Sequence, residues 1–114
     1  QQFLHVKNLQ IINDLNIDII PCKTIRSNDG LAMSSRNNLL SKKGLQLASN
    51  IYKSIKRVKD SILVNQNILN EEIDYLSKLG IEIEYYQICD RETLESINHK
   101  INNKFMLIYT IQIE

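Results

Sequence analysis

Ser34, Ser35 and Arg36 stand side by side after Met33, in the polar stretch IPCKTIRSNDGLAMSSRNN that runs over residues 20–38. Two hydroxyls beside a guanidinium supply donors that phosphate oxygens accept, and the forked guanidinium suits a phosphate best. Upstream, Asn28-Asp29-Gly30 permits a tight turn or a left-handed residue, which would set that run at a bend. No helical or strand period fits the stretch. A solvated loop has a similar Ser, Asn and Arg composition, so residue types alone leave a plain loop and an anion site both open.

Other chemistries have weaker footing. Cys22 and Cys89 form neither a knuckle nor a CxxC pair, and with only two histidines a structural zinc site is not expected. We nominate no metal-ligating residue. Reduced cysteines suit a cytoplasmic protein. His5 falls inside a helical pattern, where packing or surface exposure explains it better than catalysis. Lys53, Lys56, Arg57 and Lys59 share one side of a later helix. They suggest either a solvated surface or an anion- or nucleic-acid-binding face on a non-catalytic module. The net charge of +1 argues against nucleic acid as the main partner.

The elements that must hold these residues follow from periodicity. Residues 2–15 predict a helix, with Leu4, Ile11 and Leu15 on one line and Val6, Leu9 and Ile12 widening it. Residues 17–20 predict a short strand before Pro21. Ser41 can cap a helix reaching about residue 63, with Leu45, Ala48, Ile51, Tyr52, Ile55, Val58 and Ile62 recurring at three- and four-residue spacing on its inward side. Asn65 or Asn67 then opens a second helix, which carries Glu71 and Glu72 early and stops at Gly80. Strict alternation predicts a strand over 81–89, with Ile81, Ile83, Tyr85, Gln87 and Cys89 on one face. Residues 99–104 read as a polar loop, and 105–113 as a second strand antiparallel to the first. The chain of 114 residues is ordinary for a globular protein at 43% hydrophobic and 24% charged. It contains no apolar run of about 18 residues, so no membrane partner is expected. Its opening, QQFLHVKNLQ, reads as mid-domain sequence.

Thr24 to Asn37 resembles the signature segment of the pantoate–β-alanine ligase family, in which Pro-Thr-x-Arg leads through Asp-Gly-Leu-Ala to Met-Ser-Ser-Arg-Asn. Gln1-Gln2 and Asp90-Arg91-Glu92-Thr93-Leu94 resemble two further segments of the same family. The resemblance implies an α+β fold: a small C-terminal domain with a helix pair packed on antiparallel strands. Before it would come the last helix–strand unit of a Rossmann-like α/β nucleotide-binding domain. The domains would be residues 1–28, the edge of the nucleotide-binding domain, and 29–114, a lid-like domain that is not necessarily complete.

The same resemblance implies an ATP-dependent ligase. It would condense pantoate with β-alanine through a pantoyl adenylate, giving pantothenate, AMP and pyrophosphate, with ATP and Mg²⁺ as cofactors. Ser34, Ser35 and Arg36 match the positions that hold ATP phosphates and form the candidate catalytic set. Met33 matches a residue bordering the nucleotide, and Ile25 one whose backbone meets adenine. Gln2 matches a glutamine that binds pantoate. The full-length protein would be a cytoplasmic homodimer that uses neither nucleic acid nor membrane. The chain departs from the pattern at Ser27, where relatives commonly carry Glu, and at Lys42 and Lys43, where acidic residues are frequent. The histidine pair and the amino-terminal nucleotide fold of the family are not in this sequence, so the 114 residues alone are expected to be inactive.

Overall fold

The core forms where α2 (Lys42–Leu63), α3 (Leu69–Lys78) and an antiparallel sheet of β1 (Glu82–Asp90) and β2 (Phe105–Gln112) meet. The structure, a computed structural model, describes residues 2–97 and 105–113. The predicted polar loop over 99–104 lies outside the described residues. Val58, Ile62, Leu76, Ile81, Tyr86 and Ile88 make up the buried cluster. Full burial of an aliphatic side chain of this size stabilises by about 1.5–3 kcal/mol, so these few residues dominate the core. This is the small α+β domain that the sequence predicts.

Each helix begins and ends for identifiable reasons. Ser41 caps α2, its hydroxyl oxygen accepting the Gly44 N–H at 3.0 Å. Asn65 then takes a left-handed φ of 57°. The Asn65 and Gln66 N–H groups turn back to the carbonyls of Ile62 and Ser61, at 3.0 and 2.8 Å. Asn65 therefore stops α2 rather than opening α3. The opening falls to Asn67, whose side-chain oxygen accepts the Leu69 N–H at 3.0 Å. Gly80, with φ 84°, ends α3 by the same reversal. Ile81 and Gly80 there donate to Leu76 and Ser77 at 3.2 and 3.0 Å.

Helix α1 (Gln2–Ile12) is shorter than predicted because Asp14 adopts φ 47° and repeats this stop, with Leu15 N–H returning to Gln10 at 3.0 Å. Its apolar residues fall around the whole circumference and not on one stripe, and none of its described residues is buried. Residues 17–20 form no strand. A strand needs a ladder partner for its backbone groups, and no described strand lies beside them.

The alternation read from residues 81–89 is broken once. The pairing register shifts between Ile83 and Tyr85, so Glu84 is an extra residue on β1 opposite a regular β2. Such a bulge reverses which face the following residues present. Ile81 still faces the core, but beyond the bulge Tyr86 and Ile88 are the inward residues and Gln87 is exposed. The predicted face of Ile81, Ile83, Tyr85, Gln87 and Cys89 is thus split. Cys89 is buried nonetheless, and burial pushes its thiol pKa up, whereas Cys22 is exposed. Asp90 closes the strand by accepting the N–H groups of Glu92 and Thr93, at 2.7 and 3.0 Å, through one carboxylate oxygen. No helix among the described residues is long and apolar enough to cross a membrane.

Candidate functional site

The signature stretch folds as a tight hairpin. Arg26 pairs with Ala32, Ser27 N–H donates to Leu31 at 2.8 Å, and Gly30 N–H donates to Ser27 at 2.9 Å. Gly30 sits at φ 88°, the left-handed position such a turn reserves for glycine. Asn28-Asp29 occupies the bend. At the open end of the hairpin, Met33 N–H donates to the Ile25 carbonyl at 2.9 Å. That bond sets Ile25 and Met33 side by side with both side chains exposed, 75% and 65%.

A short 3₁₀ helix, Ser35–Leu39, leaves the hairpin immediately. Ser34 caps it: the Ser34 hydroxyl oxygen accepts the Arg36 N–H at 3.2 Å, which leaves its own proton available to a ligand. Asn37 ties the turn back to the hairpin, donating through Nδ2 to the Ala32 carbonyl at 2.9 Å. Ser34, Ser35 and Arg36 are all exposed. Arg36 borders an open concavity of about 430 Å³ with Asn37, Leu40, Thr110 and the bulge residue Glu84.

The structure therefore brings five of the six nominated residues, Ile25, Met33, Ser34, Ser35 and Arg36, onto one hairpin and its trailing turn. Gln2 stands apart, exposed at the start of α1 and joined to the hairpin by no hydrogen bond among the described residues. His5 is likewise exposed on α1.

Sequence reasoning missed Arg26 and Tyr52. The Arg26 guanidinium lies 4.1 Å from the centre of the Tyr52 ring and donates through Nη1 to the Gly30 carbonyl at 3.1 Å. By periodicity Tyr52 is only one more apolar position on α2. The signal available was the equal distance of Arg26 and Ala32 from the turn, which makes them hairpin partners. Lys23, Thr24, Ser27 and Asn28 join Arg26 and Tyr52 around a second concavity of about 590 Å³.

Lys53, Lys56, Arg57 and Lys59 all lie on α2, but one of them is engaged elsewhere. Arg57 crosses to α3, its guanidinium donating to both carboxylate oxygens of Glu72 at 2.5 and 2.7 Å and lying 5.1 Å from the centre of the Tyr75 ring. Burial of Glu72 opposes its ionisation, but the Arg57 guanidinium and the Ser54 hydroxyl outweigh that and hold its pKa below the ordinary carboxylate value. Beneath this pair, burial raises the Tyr86 phenol to about 12. The Ser54 and Tyr86 hydroxyl oxygens are buried close to the carboxylate without a hydrogen bond of regular geometry. Glu72 is therefore a buried ion-pair partner as well as an acidic residue at a helix start.

No three His, Cys, Asp or Glu side chains gather among the described residues. Among the described residues no carboxylate set is arranged to hold Mg²⁺.

A sequence model of the family described as pantoate-beta-alanine ligase matches residues 1–114. The pantothenate synthetase of Thermodesulfovibrio yellowstonii is 37% identical over 120 residues, covering 99% of this chain and 42% of that protein. That of Coprothermobacter proteolyticus is 41% identical over 93 residues, covering 75% of this chain and 32% of that protein. Among solved structures, a crystal structure of pantothenate synthetase from Thermus thermophilus superposes with a TM-score of 0.76. At 18% identity, over 98% of this chain and 45% of that one, the likeness shows the shared fold. The chain thus spans less than half the length of these relatives.

Proposed function

The chain belongs to the pantoate–β-alanine ligase family, and from that membership we propose that it is the nucleotide-gripping, C-terminal part of an ATP-dependent ligase joining pantoate to β-alanine. In the reaction so assigned, a pantoate carboxylate oxygen attacks the α-phosphorus of ATP and pyrophosphate leaves. The amine of β-alanine then attacks the acyl carbon of the pantoyl adenylate and releases AMP. The observation carrying the proposal is the single hairpin that sets Ile25 beside Met33 and runs on into the exposed Ser34-Ser35-Arg36 turn.

In this reading the Ile25 backbone meets the adenine and Met33 borders the nucleotide, while the two hydroxyls and the guanidinium receive the phosphates. Donors fixed in place before the reaction need no reorganisation as charge moves onto the leaving pyrophosphate, and such contacts lower the barrier. Mg²⁺ would add positive charge at the phosphates when bound. Gln2 would contact pantoate. No general base is assigned within this chain, because the mixed anhydride is already activated toward a free amine. In the same reading residues 1–28 form the edge of the nucleotide-binding domain, and residues 29–114 close over it. The full-length ligase is a cytoplasmic homodimer in the same reading.

The test is a chromatographic assay for pantothenate with pantoate, β-alanine and ATP. The full-length ligase should form it, and the 114 residues alone should not. A full-length protein that makes none would overturn the assignment, and turnover by the 114 residues at the full-length rate would overturn the division of labour.

A further inference from the structure

We propose that Arg26 is a positioning residue for the adenylation step: through Tyr52 and Gly30 it locks the hairpin to α2 and so fixes where the Ser34–Arg36 turn meets the nucleotide. The proposal rests on the ligase reading above and adds to it a residue that touches neither ATP nor pantoate.

Three contacts at one point carry it. The Arg26 guanidinium lies 4.1 Å from the centre of the Tyr52 ring, a cation–π contact anchored on α2. The same guanidinium donates to the Gly30 carbonyl at 3.1 Å, across the hairpin's own turn. Gly30 in turn lies directly against Tyr52, so close that a Cβ on Gly30 would come within 2.2 Å of Tyr52 Cδ1. The turn, the guanidinium and the ring thus form one closed contact that joins the hairpin to the long helix.

From this point the linkage to the site is short. Arg26 pairs with Ala32, the Ala32 carbonyl receives Asn37 Nδ2 at 2.9 Å, and Asn37 belongs to the 3₁₀ helix that Ser34 caps. On the other side, Ile25 and Met33 are the immediate neighbours of Arg26 and Ala32 and share the next backbone bond at 2.9 Å. A hairpin released from Tyr52 would carry Ile25, Met33, Ser34, Ser35 and Arg36 with it as a body. Displacements of about 1 Å by changes remote from the chemistry can lower rates by about 10²-fold. Arginine suits this role and lysine does not, since only the planar guanidinium can stack on the ring while one of its N–H groups reaches Gly30.

The experiment uses the full-length ligase and pantoate-dependent ATP–pyrophosphate exchange, which reads adenylation alone. Arg26→Ala should lower kcat/KM for ATP in exchange by about 10- to 10²-fold. β-Alanine-dependent breakdown of enzyme-bound pantoyl adenylate should stay within about twofold. Arg26→Lys should recover only part of the exchange rate. Tyr52→Leu should reproduce the defect, and the double variant should be no worse than the worse single one, since the two act as a unit. Exchange by Arg26→Ala within twofold of the parent would overturn the proposal, as would an equal loss in both half-reactions. If Arg26→Ala melts early, Arg26→Lys at the parent melting temperature carries the same comparison. A parent protein without pantoate-dependent exchange would instead overturn the ligase reading, and this proposal with it.

Discussion

Arg36 is the residue on which the phosphate assignment can be checked most directly. It is exposed on the Ser35–Leu39 turn and fills no core volume, so its removal should leave the fold intact. What it should remove is a forked, charge-assisted contact that strengthens as pyrophosphate departs. Loss of one such donor costs about 2.7–4 kcal/mol, or about 10²–10³ in rate, where the site is well enclosed. Arg36→Ala should therefore melt normally and release pyrophosphate far more slowly, with Arg36→Lys recovering part of the rate. Release within about threefold of the parent would strip Arg36 of the role. Glu72 gives a second residue-scale prediction, now about stability. Its pKa is lower folded than unfolded, so its contribution is complete above the unfolded carboxyl value and disappears as pH falls through the folded one. Urea denaturation should show Glu72→Gln less stable at pH 7 by about 1–2 kcal/mol, near the low end for charged hydrogen bonds because Arg57 is 44% exposed. That difference should close as the pH drops below the ordinary carboxylate range. The Met-Ser-Ser-Arg run could be nominated from the sequence because its residues are contiguous. The Arg57–Glu72 pair was not, since its partners lie 15 residues apart on different helices and no local period links them.

At the scale of elements, two glycines separate backbone strain from steric overlap. Gly80 sits at φ 84° with nothing within 4 Å of an added methyl group, so Gly80→Ala should cost only the left-handed penalty, about 1–2 kcal/mol. Gly30, at φ 88°, adds a 2.2 Å collision with the Tyr52 ring. Gly30→Ala should be the more destabilising of the two in parallel melts, and trimming Tyr52 to Leu should relieve Gly30→Ala but not Gly80→Ala. Equal losses from both substitutions would mean that the hairpin does not rest on α2. Helix extents were largely readable, because Ser41 and Gly80 are strong local start and stop signals. The stops at Asp14 and Asn65 were missed, because Asp and Asn adopt a left-handed φ only when the returning hydrogen bonds favour it. The bulge at Glu84 was invisible for a similar reason. Alternation reports the side of a strand only while the register is unbroken, and the break is decided by pairing with β2.

The whole molecule carries more surface than its size requires. A compact 13.3 kDa monomer should expose about 6,500 Å² and have a radius of gyration of about 13 Å. This chain exposes 8840 Å² and its radius is 16.0 Å. Part of the excess comes from α1 and the residues after it, where Ile11, Ile12 and Ile20 are 66%, 77% and 78% exposed. A helix apolar on all sides is the kind that folded proteins bury. In hydrogen exchange on the 114 residues alone, residues 6–19 should exchange readily while the amides around Val58 and Leu76 stay protected. Strong protection across 6–19 in a monomer would contradict this. The cysteines offer a practical handle on the same question. Cys89 is sealed in the core with its thiol held protonated, while Cys22 is open, a few residues ahead of the hairpin. Maleimide reagents should therefore mark one position without mutagenesis, placing a fluorophore where nucleotide binding can be watched as a change in emission.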